Sequence, residues 1–314
     1  MTTITPGTPG VNVGAPAAPS GTQDATDYSI APEQVSLWQD AWRRFRRNKL
    51  ALAGMGVFGL VVVTAIVSIF WTPYSLFQEG LGDITDPASW AHPLGIDGHT
   101  RDVLSFLMKG AQIVIEVGVL TAALTSLVGI AAGLAAGFFR GWVDSLISGI
   151  TYIGYGIPNL LIAFLILFIT NRPSIFNVII ALSVTSWMDM ARLVRGQTLA
   201  LREREFVEAA RATGTKDFAI MARHVLPNAL GPIIVQATFL IPQAILFEAF
   251  LSFLGFGLPS PDPSWGAMVA DGLNDRFLAY HTMIVPSVAL LVTLMAVNFI
   301  GDGLRDALDP RLKR

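Results

Sequence analysis

The chain contains six long apolar runs that hold almost no charged residues, and this pattern constrains the fold more than any other feature. A bilayer core about 30 Å thick is crossed by roughly 20 apolar residues in helical form, whereas strands of a membrane barrel alternate apolar and polar residues over roughly 10 positions. Charged residues make up only 14% of the sequence, against about 25% in soluble domains. We therefore predict an all-α membrane protein with six transmembrane helices, over residues 50–71, 113–139, 145–170, 173–192, 229–252 and 282–302.

The distribution of lysine and arginine predicts the orientation of these helices. If the amino terminus is cytoplasmic, 17 of the 21 positive residues fall on the cytoplasmic side, and only Arg101, Lys109, Arg172 and Arg276 fall outside. We therefore expect a multi-pass protein of the cell (plasma or inner) membrane with both termini in the cytoplasm. The remaining predicted segments are a disordered cytoplasmic tail 1–36, a basic interfacial helix 37–49, an outside segment 72–112, a cytoplasmic loop 193–228, an outside loop 253–281 and a cytoplasmic tail 303–314.

The segment before the first span has two parts. Residues 1–36 are rich in Gly, Pro, Thr and Ala and show no apolar period, which predicts disorder. In 37–49 we expect Trp42 and Phe45 to share an apolar side while arginines face anionic lipid headgroups, although these charges also fit a plain topology signal. The first span begins too late and is too long for a cleavable signal.

Composition and motifs exclude several classes of function. The absence of cysteine excludes disulfides and thiolate chemistry, and a net charge of −2 offers no basic surface for nucleic acid. The sequence has no G-x-x-x-x-G-K-[ST] phosphate loop and no nucleophile–base pair, so we expect no enzymatic site and no cofactor. Four residues of the first outside segment could be drawn as a metal cluster, but their spacing is not that of a metal site: His92, Asp97, His99 and Asp102.

The cytoplasmic loop 193–228 predicts a short rigid helix. Its alanines have high helix propensity and small volume, so another backbone can approach closely. Gly214 can take the left-handed conformation that ends a helix, Thr215 can cap the next helix, and Pro227 is expected to end that second helix. Such an element, lying across the cytoplasmic mouth, could carry force to or from a soluble partner; the alternative is a solvated charged hairpin.

The same loop resembles a known family. Its E-A-A-x-x-x-G block, followed by H-x-L-P-N, is similar to the coupling loop of ABC importer permeases. Two later blocks, E-A-F-L-S-F-L-G-F-G with P-S-W-G and N-F-I-G-D-G-L-R-D-A-L-D-P, resemble the C-type permeases of peptide and nickel importers. The resemblance covers about residues 40–314 and implies the type I ABC importer permease fold. The residues it assigns to ATPase coupling are Glu208, Ala209, Ala210, Arg211, Gly214, His224, Pro227 and Asn228.

The resemblance also implies partners and a cargo. Members pair with a homologous second permease, two cytoplasmic ATPase subunits or domains, and an extracytoplasmic substrate-binding protein. Because this chain lacks a phosphate loop, ATP hydrolysis is expected in the partner subunits. Moving a two-state pore from 1:99 to 99:1 takes about 5.5 kcal/mol of differential binding, which a rigid helix can transmit. Short peptides are the expected cargo, with oligosaccharides or nickel complexes as alternatives.

One outside segment departs from the family pattern. Members usually carry H-x-L-G-T-D-x-x-G-R-D leading into G-A-R-x-S-L. Here the first motif has Ile96 in place of Thr and Thr100 in place of the second Gly, and Gln112 replaces the Arg of the second motif. Because the segment faces the side of cargo delivery, the departure bears on cargo rather than on coupling.

Several membrane-depth residues are candidates for function or packing. An acidic residue at a helix centre costs roughly 2.5–3.5 kcal/mol on insertion scales, so Glu248 should face the bundle interior or a watery path, as a gate, a relay or a hydrogen-bonded packing residue. Gly129, Gly133 and Gly137 favour close helix crossing, either within this chain or with the second permease. The pore or gate candidates are Glu248, Ser252, Phe253, Trp265 and Asn298.

Two functions of other classes stay open on the residues alone. An ion-driven secondary transporter would predict paired buried carboxylates in several spans and inverted repeats, and we find one such carboxylate and no repeat. A membrane-embedded enzyme would need clustered catalytic side chains at membrane depth, and we find none.

Overall fold

The computed structural model describes residues 37–309, apart from position 87 and the segments 171–173 and 259–261. The predicted tail 1–36 and residues 310–314 lie outside the described part. The chain divides between Leu37 and Trp38, and the contacts reported below lie within the unit that begins at Trp38. The helices are α1 (Leu37–Phe45), α2 (Lys49–Phe70), α3 (Val103–Phe139), α4 (Gly141–Tyr155), α5 (Asn159–Thr170), α6 (Ile175–Arg202), α7 (Glu205–Ala212), α8 (Asp217–Ile220), α9 (Leu226–Phe253), α10 (Trp265–Asn274) and α11 (His281–Leu308), with a π-helical turn at Met221–Val225.

The described chain consists of helices and their connections, which confirms the predicted all-α class. Five helices are long and apolar enough to cross a membrane: α2, α3, α6, the continuous helix Asp217–Phe253 and α11. The sixth candidate is the pair α4–α5, whose axes differ by 90°.

The run 145–170, predicted as one span, is therefore two helices. Gly156 ends α4, and Pro158 follows two residues later. Proline lacks a backbone N–H and disfavours helical backbone in the residue before it, so the chain turns here instead of continuing α4.

Other helix ends also differ from the predicted bounds. α3 begins at Val103 rather than at 113 because Asp102 caps it, accepting a hydrogen bond from the backbone N–H of Ser105. α6 continues to Arg202, so the first ten residues of the predicted cytoplasmic loop are helical. α10 lies inside the predicted outside loop 253–281, and α11 extends into the predicted tail 303–314.

α3 and α6 pack closely along three glycines of α3. A Cβ atom added to Gly129 would lie 2.5 Å from the Cβ of Met190, and one added to Gly133 would lie 2.6 Å from the carbonyl oxygen of Ala191. Gly137 meets Thr198 in the same way. The small-residue face predicted from the sequence therefore packs within this chain.

α1 packs on the ends of α2 and α11. Phe45 is buried among Ala51, Ala307 and the backbone of Gly303, whereas Trp42 is 54% exposed and stacks on Phe45 with ring centroids 5.9 Å apart. The two aromatic residues lie side by side as predicted, but Phe45 faces the protein. Arg43 is exposed, which leaves positive charge on the outer side of the helix.

Candidate functional site

α7 has two chemically different faces. Val207 and Ala210 are buried against the rest of the chain, because positions three apart share one side of a helix. The opposite face is exposed and combines charged with small side chains. Its members are Glu205, Glu208, Ala209 and Ala212, and the exposed side chains of Phe206 and Arg211 lie at the edges of this face.

The end of α7 is fixed by Gly214, whose φ of +79° is the predicted left-handed conformation. Its N–H donates to the carbonyl of Arg211 at 2.9 Å, and the N–H of Thr215 donates to the carbonyl of Ala210 at 3.1 Å. These two bonds form a Schellman motif, which satisfies the last carbonyls of a helix. The prediction for Thr215 is wrong: the residue before α8 is Lys216, and no side chain caps that helix.

The prediction that Pro227 ends the second helix is also wrong. Pro227 lies at the start of α9, within the continuous helix Asp217–Phe253, so the helix continues although this residue has no N–H to donate. The preceding turn widens to a π-helix in which the N–H of Leu226 donates to the carbonyl of Met221, five residues earlier. The side-chain amide of Asn228 donates to the carbonyl of His224 at 2.7 Å. The structure thus brings His224, Pro227 and Asn228 together at one turn, next to α7.

The underside of α7 rests on the last turn of α3. Phe138 is 2% exposed and forms one apolar cluster with Val207, Ala210 and Val225. The Arg202 guanidinium lies 5.8 Å from the Phe138 ring centroid and that of Arg211 lies 5.3 Å from it. Arg202 also donates a hydrogen bond to the carbonyl of Phe138.

Ion pairs brace the α3–α4 turn against α6. Arg140 has a φ of +56°, rare for a residue with a side chain, and its guanidinium lies 2.6 Å from the carboxylate of Glu203. Arg195 of α6 donates two hydrogen bonds to the carboxylate of Asp144, at 2.5 and 2.7 Å. Such bidentate geometry fixes the direction of both side chains.

Glu248 joins α9 to the start of α10. It is 1% exposed, and one carboxylate oxygen accepts hydrogen bonds from the hydroxyls of Ser252 and Ser264, both at 2.7 Å. The other oxygen has no hydrogen-bond partner among the described residues. Trp265 is buried beside this group and donates to the carbonyl of Leu107 at 2.9 Å.

Of the five pore or gate candidates, three are therefore brought together where α9 meets α10: Glu248, Ser252 and Trp265. Phe253 is 37% exposed at the end of α9. Asn298 lies apart on α11, exposed, with its side-chain amide bonded to the carbonyl of Leu294. Their roles in a pore or gate stay predictions.

The histidines and aspartates of the predicted outside segment 72–112 form ion pairs and hydrogen bonds. Arg101 is 7% exposed and donates to the carboxylate of Asp97 at 2.9 Å, with Asp271 of α10 3.9 Å away. His99 contacts the same guanidinium. The side chain of Asp271 is 49% exposed, and its partial burial raises the pKa of its carboxyl above the ordinary value; His99 and Arg101 oppose this shift, and Asp97 and Asp275 add to it. We call Asp97, His99, Arg101 and Asp271 the outer cluster.

Two of the departures from the family pattern, at positions 100 and 112, form hydrogen bonds in the structure. Thr100 has a φ of 59°, at the position where the resemblance predicts glycine. This conformation is strained for a β-branched residue. Its hydroxyl accepts a hydrogen bond from the N–H of Gly80 at 2.7 Å, a contact that glycine could not make. Gln112 donates to Glu116 on the same helix.

Sequence reasoning missed two residues of these sites. Ser264 caps α10 and bonds Glu248, and its position directly before a helix, next to Pro263, was a usable N-cap signal. Phe138 lies in a long apolar run, where nothing in the local pattern marks it as the residue beneath α7.

Family models match most of the chain. Residues 129–314 match the family described as binding-protein-dependent transport system inner membrane component. Residues 36–87 match the N-terminal transmembrane domain of oligopeptide transport permease C.

Curated relatives match over nearly their full length. The chain is 41% identical over 288 residues to the dipeptide transport system permease protein DppC of Bacillus subtilis (strain 168), covering 91% of this chain and 89% of the relative. It is 38% identical to the oligopeptide transport system permease protein OppC of the same organism, covering 91% and 93%. It is also 38% identical to the glutathione transport system permease protein GsiD of Escherichia coli O157:H7, covering 90% and 94%.

Solved structures support the same fold. A chain of the methionine ABC transporter MetNI, crystallised in inward-facing conformations, superposes with a TM-score of 0.54 at 20% identity, over 65% of this chain and 96% of that one. This likeness shows the permease fold of ABC importers. Together with the family match and the 41% identity, it leads to one conclusion: the chain is a transport permease that belongs to the binding-protein-dependent transport system inner membrane component family.

Proposed function

We propose that this chain forms half of the translocation pore of an ATP-driven importer and receives its driving force through α7. The observation that carries the proposal is the contrast between the two faces of α7. The buried face is fixed to the rest of the chain through Val207 and Ala210, and the exposed face offers Glu208 and Ala209, with Arg211 at its edge, to a soluble partner. A helix anchored on one side can transmit a push received on the other.

The proposed partners follow from the family. A homologous second permease completes the pore, two ATPase subunits or domains bind α7 and its counterpart, and an extracytoplasmic binding protein delivers cargo. ATP hydrolysis takes place in the partner ATPases, because the sequence has no phosphate loop of its own.

The proposed orientation puts α7 and both termini in the cytoplasm. The bias of Lys and Arg supports it, with 17 of 21 positive residues on that side. The same orientation puts the outer cluster and α10 on the side from which a binding protein delivers cargo.

The proposed cargo is short peptides. Relatives named for dipeptide, oligopeptide and glutathione transport are 38–41% identical over about nine-tenths of this chain. Oligosaccharides and nickel complexes are the alternatives from the wider family. An ion-driven carrier has less support, because the family is one of binding-protein-dependent transport.

Reconstitution tests the proposal. The chain is purified with its second permease and ATPases, placed in vesicles, and supplied with the binding protein and a labelled dipeptide. We expect uptake that requires ATP and every partner. Uptake in the absence of the ATPases would overturn the importer proposal, and ATP-dependent uptake of a labelled nickel chelate or oligosaccharide but no peptide would overturn only the cargo.

A further inference from the structure

We propose that Phe138 is a positioning residue that carries the displacement of α7 into the transmembrane helix α3. The inference rests on the proposed function, because it needs a partner that pushes on α7. It adds a specific transmission point, which lies outside the sequence block that marks the coupling loop.

The position of Phe138 gives α7 a solid support. The ring is 2% exposed at the last turn of α3 and belongs to one apolar cluster with the buried side of α7, where Val207 is 0% exposed and Ala210 9%. Protein interiors are close-packed, so a buried contact of this kind passes a displacement on instead of absorbing it. Val225, at the end of the π-helical turn, closes the cluster from the side of α9.

Two arginine side chains, one at the end of α6 and one at the end of α7, approach the ring of Phe138. Arg202 ends α6 and Arg211 lies in the last turn of α7, and both guanidinium groups approach the ring of Phe138, with distances to its centroid of 5.8 and 5.3 Å. A planar guanidinium near an aromatic ring is attracted by the ring quadrupole. The hydrogen bond from Arg202 to the Phe138 carbonyl fixes the backbone as well as the side chain.

The helix that carries Phe138 has little room to move against α6. Gly137, the residue before Phe138, leaves only 2.8 Å between an added Cβ and the carbonyl oxygen of Arg195. Gly129 and Gly133 bring the same two helices together farther along α3. A displacement at Phe138 therefore moves α3 and α6 as a pair, instead of bending one helix.

An ion pair fixes the turn that follows Phe138, which supports the positioning role of this residue. Arg140 adopts a left-handed φ, and its pairing with Glu203 ties the α3–α4 turn to the residue that follows α6. Strained backbone of this kind persists only where its surroundings hold it. The Arg140–Glu203 ion pair thus lies where α6 ends, and the Phe138 cluster lies beneath α7. Together they hold the short segment that joins α6 to α7.

The experiment uses the full complex in vesicles and compares three variants. Phe138→Ala removes the ring, Phe138→Leu keeps an apolar side chain but removes the aromatic face, and Phe139→Ala is the matched control, because Phe139 is the adjacent ring and is 51% exposed. The readouts are the amount of assembled complex, the rate of ATP hydrolysis and the rate of uptake of a labelled dipeptide.

We expect uptake per ATP hydrolysed to fall about tenfold for Phe138→Ala and to fall by a smaller factor for Phe138→Leu, with hydrolysis within about twofold of the unchanged chain. Phe139→Ala should change neither rate by more than about twofold. If Phe138→Ala does not assemble, Phe138→Leu alone decides: normal uptake per ATP in an assembled Phe138→Leu complex overturns the inference.

Two other results are decisive. A parallel loss of assembly, hydrolysis and uptake in Phe138→Leu would mean that the residue only stabilises the fold, which overturns the positioning role. If the unchanged chain neither binds nor needs ATPases, the proposed function itself fails. That outcome is distinct from one in which the ATPases bind and Phe138 proves dispensable.

Discussion

The indole Nε1 of Trp265 donates a hydrogen bond to the backbone carbonyl of Leu107, 2.9 Å away, and so ties the first residue of α10 to α3. On its other side the same end of α10 packs on α9, where the backbone of Gly266 lies directly against Ala249. Ser264 adds its hydrogen bond to Glu248. The first turn of α10 is therefore fixed between α3 and α9.

We expect Gly266→Ala to destabilise the protein by about 1–3 kcal/mol, because an added Cβ overlaps the backbone of Ala249 and α10 must shift away from α9. The thermal midpoint of the detergent-solubilised chain measures the effect. Gly231→Ala is the control: no atom lies within 4 Å of its added Cβ, so alanine should be neutral or stabilising in that helix. Equal midpoints for the two variants would show that α10 does not pack closely on α9 at Gly266.

Gly214→Val should uncouple uptake from ATP hydrolysis while the protein stays in the membrane. The φ of +79° costs roughly 1–2 kcal/mol for a residue with a side chain and more for a β-branched one, so the turn after α7 must change its direction. Uptake and hydrolysis are measured in the same vesicles.

Gly214→Asn is the matched variant, because asparagine tolerates the left-handed conformation. It should retain most of the uptake. Since no atom lies within 4 Å of an added Cβ, a loss with Asn equal to that with Val would mean that bulk at the partner surface matters, and not the backbone conformation.

Glu248→Gln should reduce uptake more than assembly. The amide keeps an oxygen that can accept from the hydroxyls of Ser252 and Ser264, but it removes the acidic group from the buried site. Assembly is followed by the yield of purified complex and uptake in vesicles. Normal uptake would leave only a packing role for Glu248, and a collapse of the yield would contradict the expected tolerance of the amide.

The outer cluster should make stability depend on pH through Asp271. Because burial raises the pKa of this carboxyl, the folded protein binds more protons than the unfolded chain between the ordinary and the raised value, and stability falls as pH rises through that window. Asp271→Asn should therefore raise the thermal midpoint at about pH 7 and change it little at about pH 4.

Asp83 provides a control of opposite sign. Hydrogen bonds from the backbone and hydroxyl of Thr85 lower its pKa, so its contribution is present at neutral pH and is lost as pH falls through the lowered value. Asp83→Asn should not raise the midpoint at about pH 7. If both variants raised the midpoint equally, the effect would reflect net charge and not the partial burial of Asp271.

The positions of most helices could be predicted from the sequence because long uncharged runs leave a chain few alternatives in a membrane. The left-handed conformation of Gly214 and the close packing of α6 on α3 at Gly129 could also be predicted. Glycine is the residue type that favours a positive φ and that lets a neighbouring helix approach closely. The 90° bend before Pro158 was not predicted, because apolar composition alone does not separate one span from two half-length helices.

The sites were predictable only in part, for a related reason. Pro227 was expected to end a helix, yet the helix continues through it, and the turn directly before α9 is widened to π-helical geometry. The pairs Arg195–Asp144 and Glu248–Ser264 join residues from different helices. Their proximity is decided by how the helices pack, which the local pattern does not encode.

Cross-linking tests the central claim most directly, because the chain contains no cysteine and single-cysteine variants are therefore unambiguous. Ala209→Cys puts a thiol on the exposed face of α7, and Glu79→Cys puts one in the predicted outside segment 72–112. A short thiol-reactive reagent with a photoreactive second arm, which needs no thiol in the partner, is attached to each cysteine in membranes that contain the co-expressed ATPases. We predict that the cysteine at 209 joins this chain to an ATPase and that the cysteine at 79 does not; cross-linking from 79, or none from 209 while the complex is assembled, would contradict the proposed coupling.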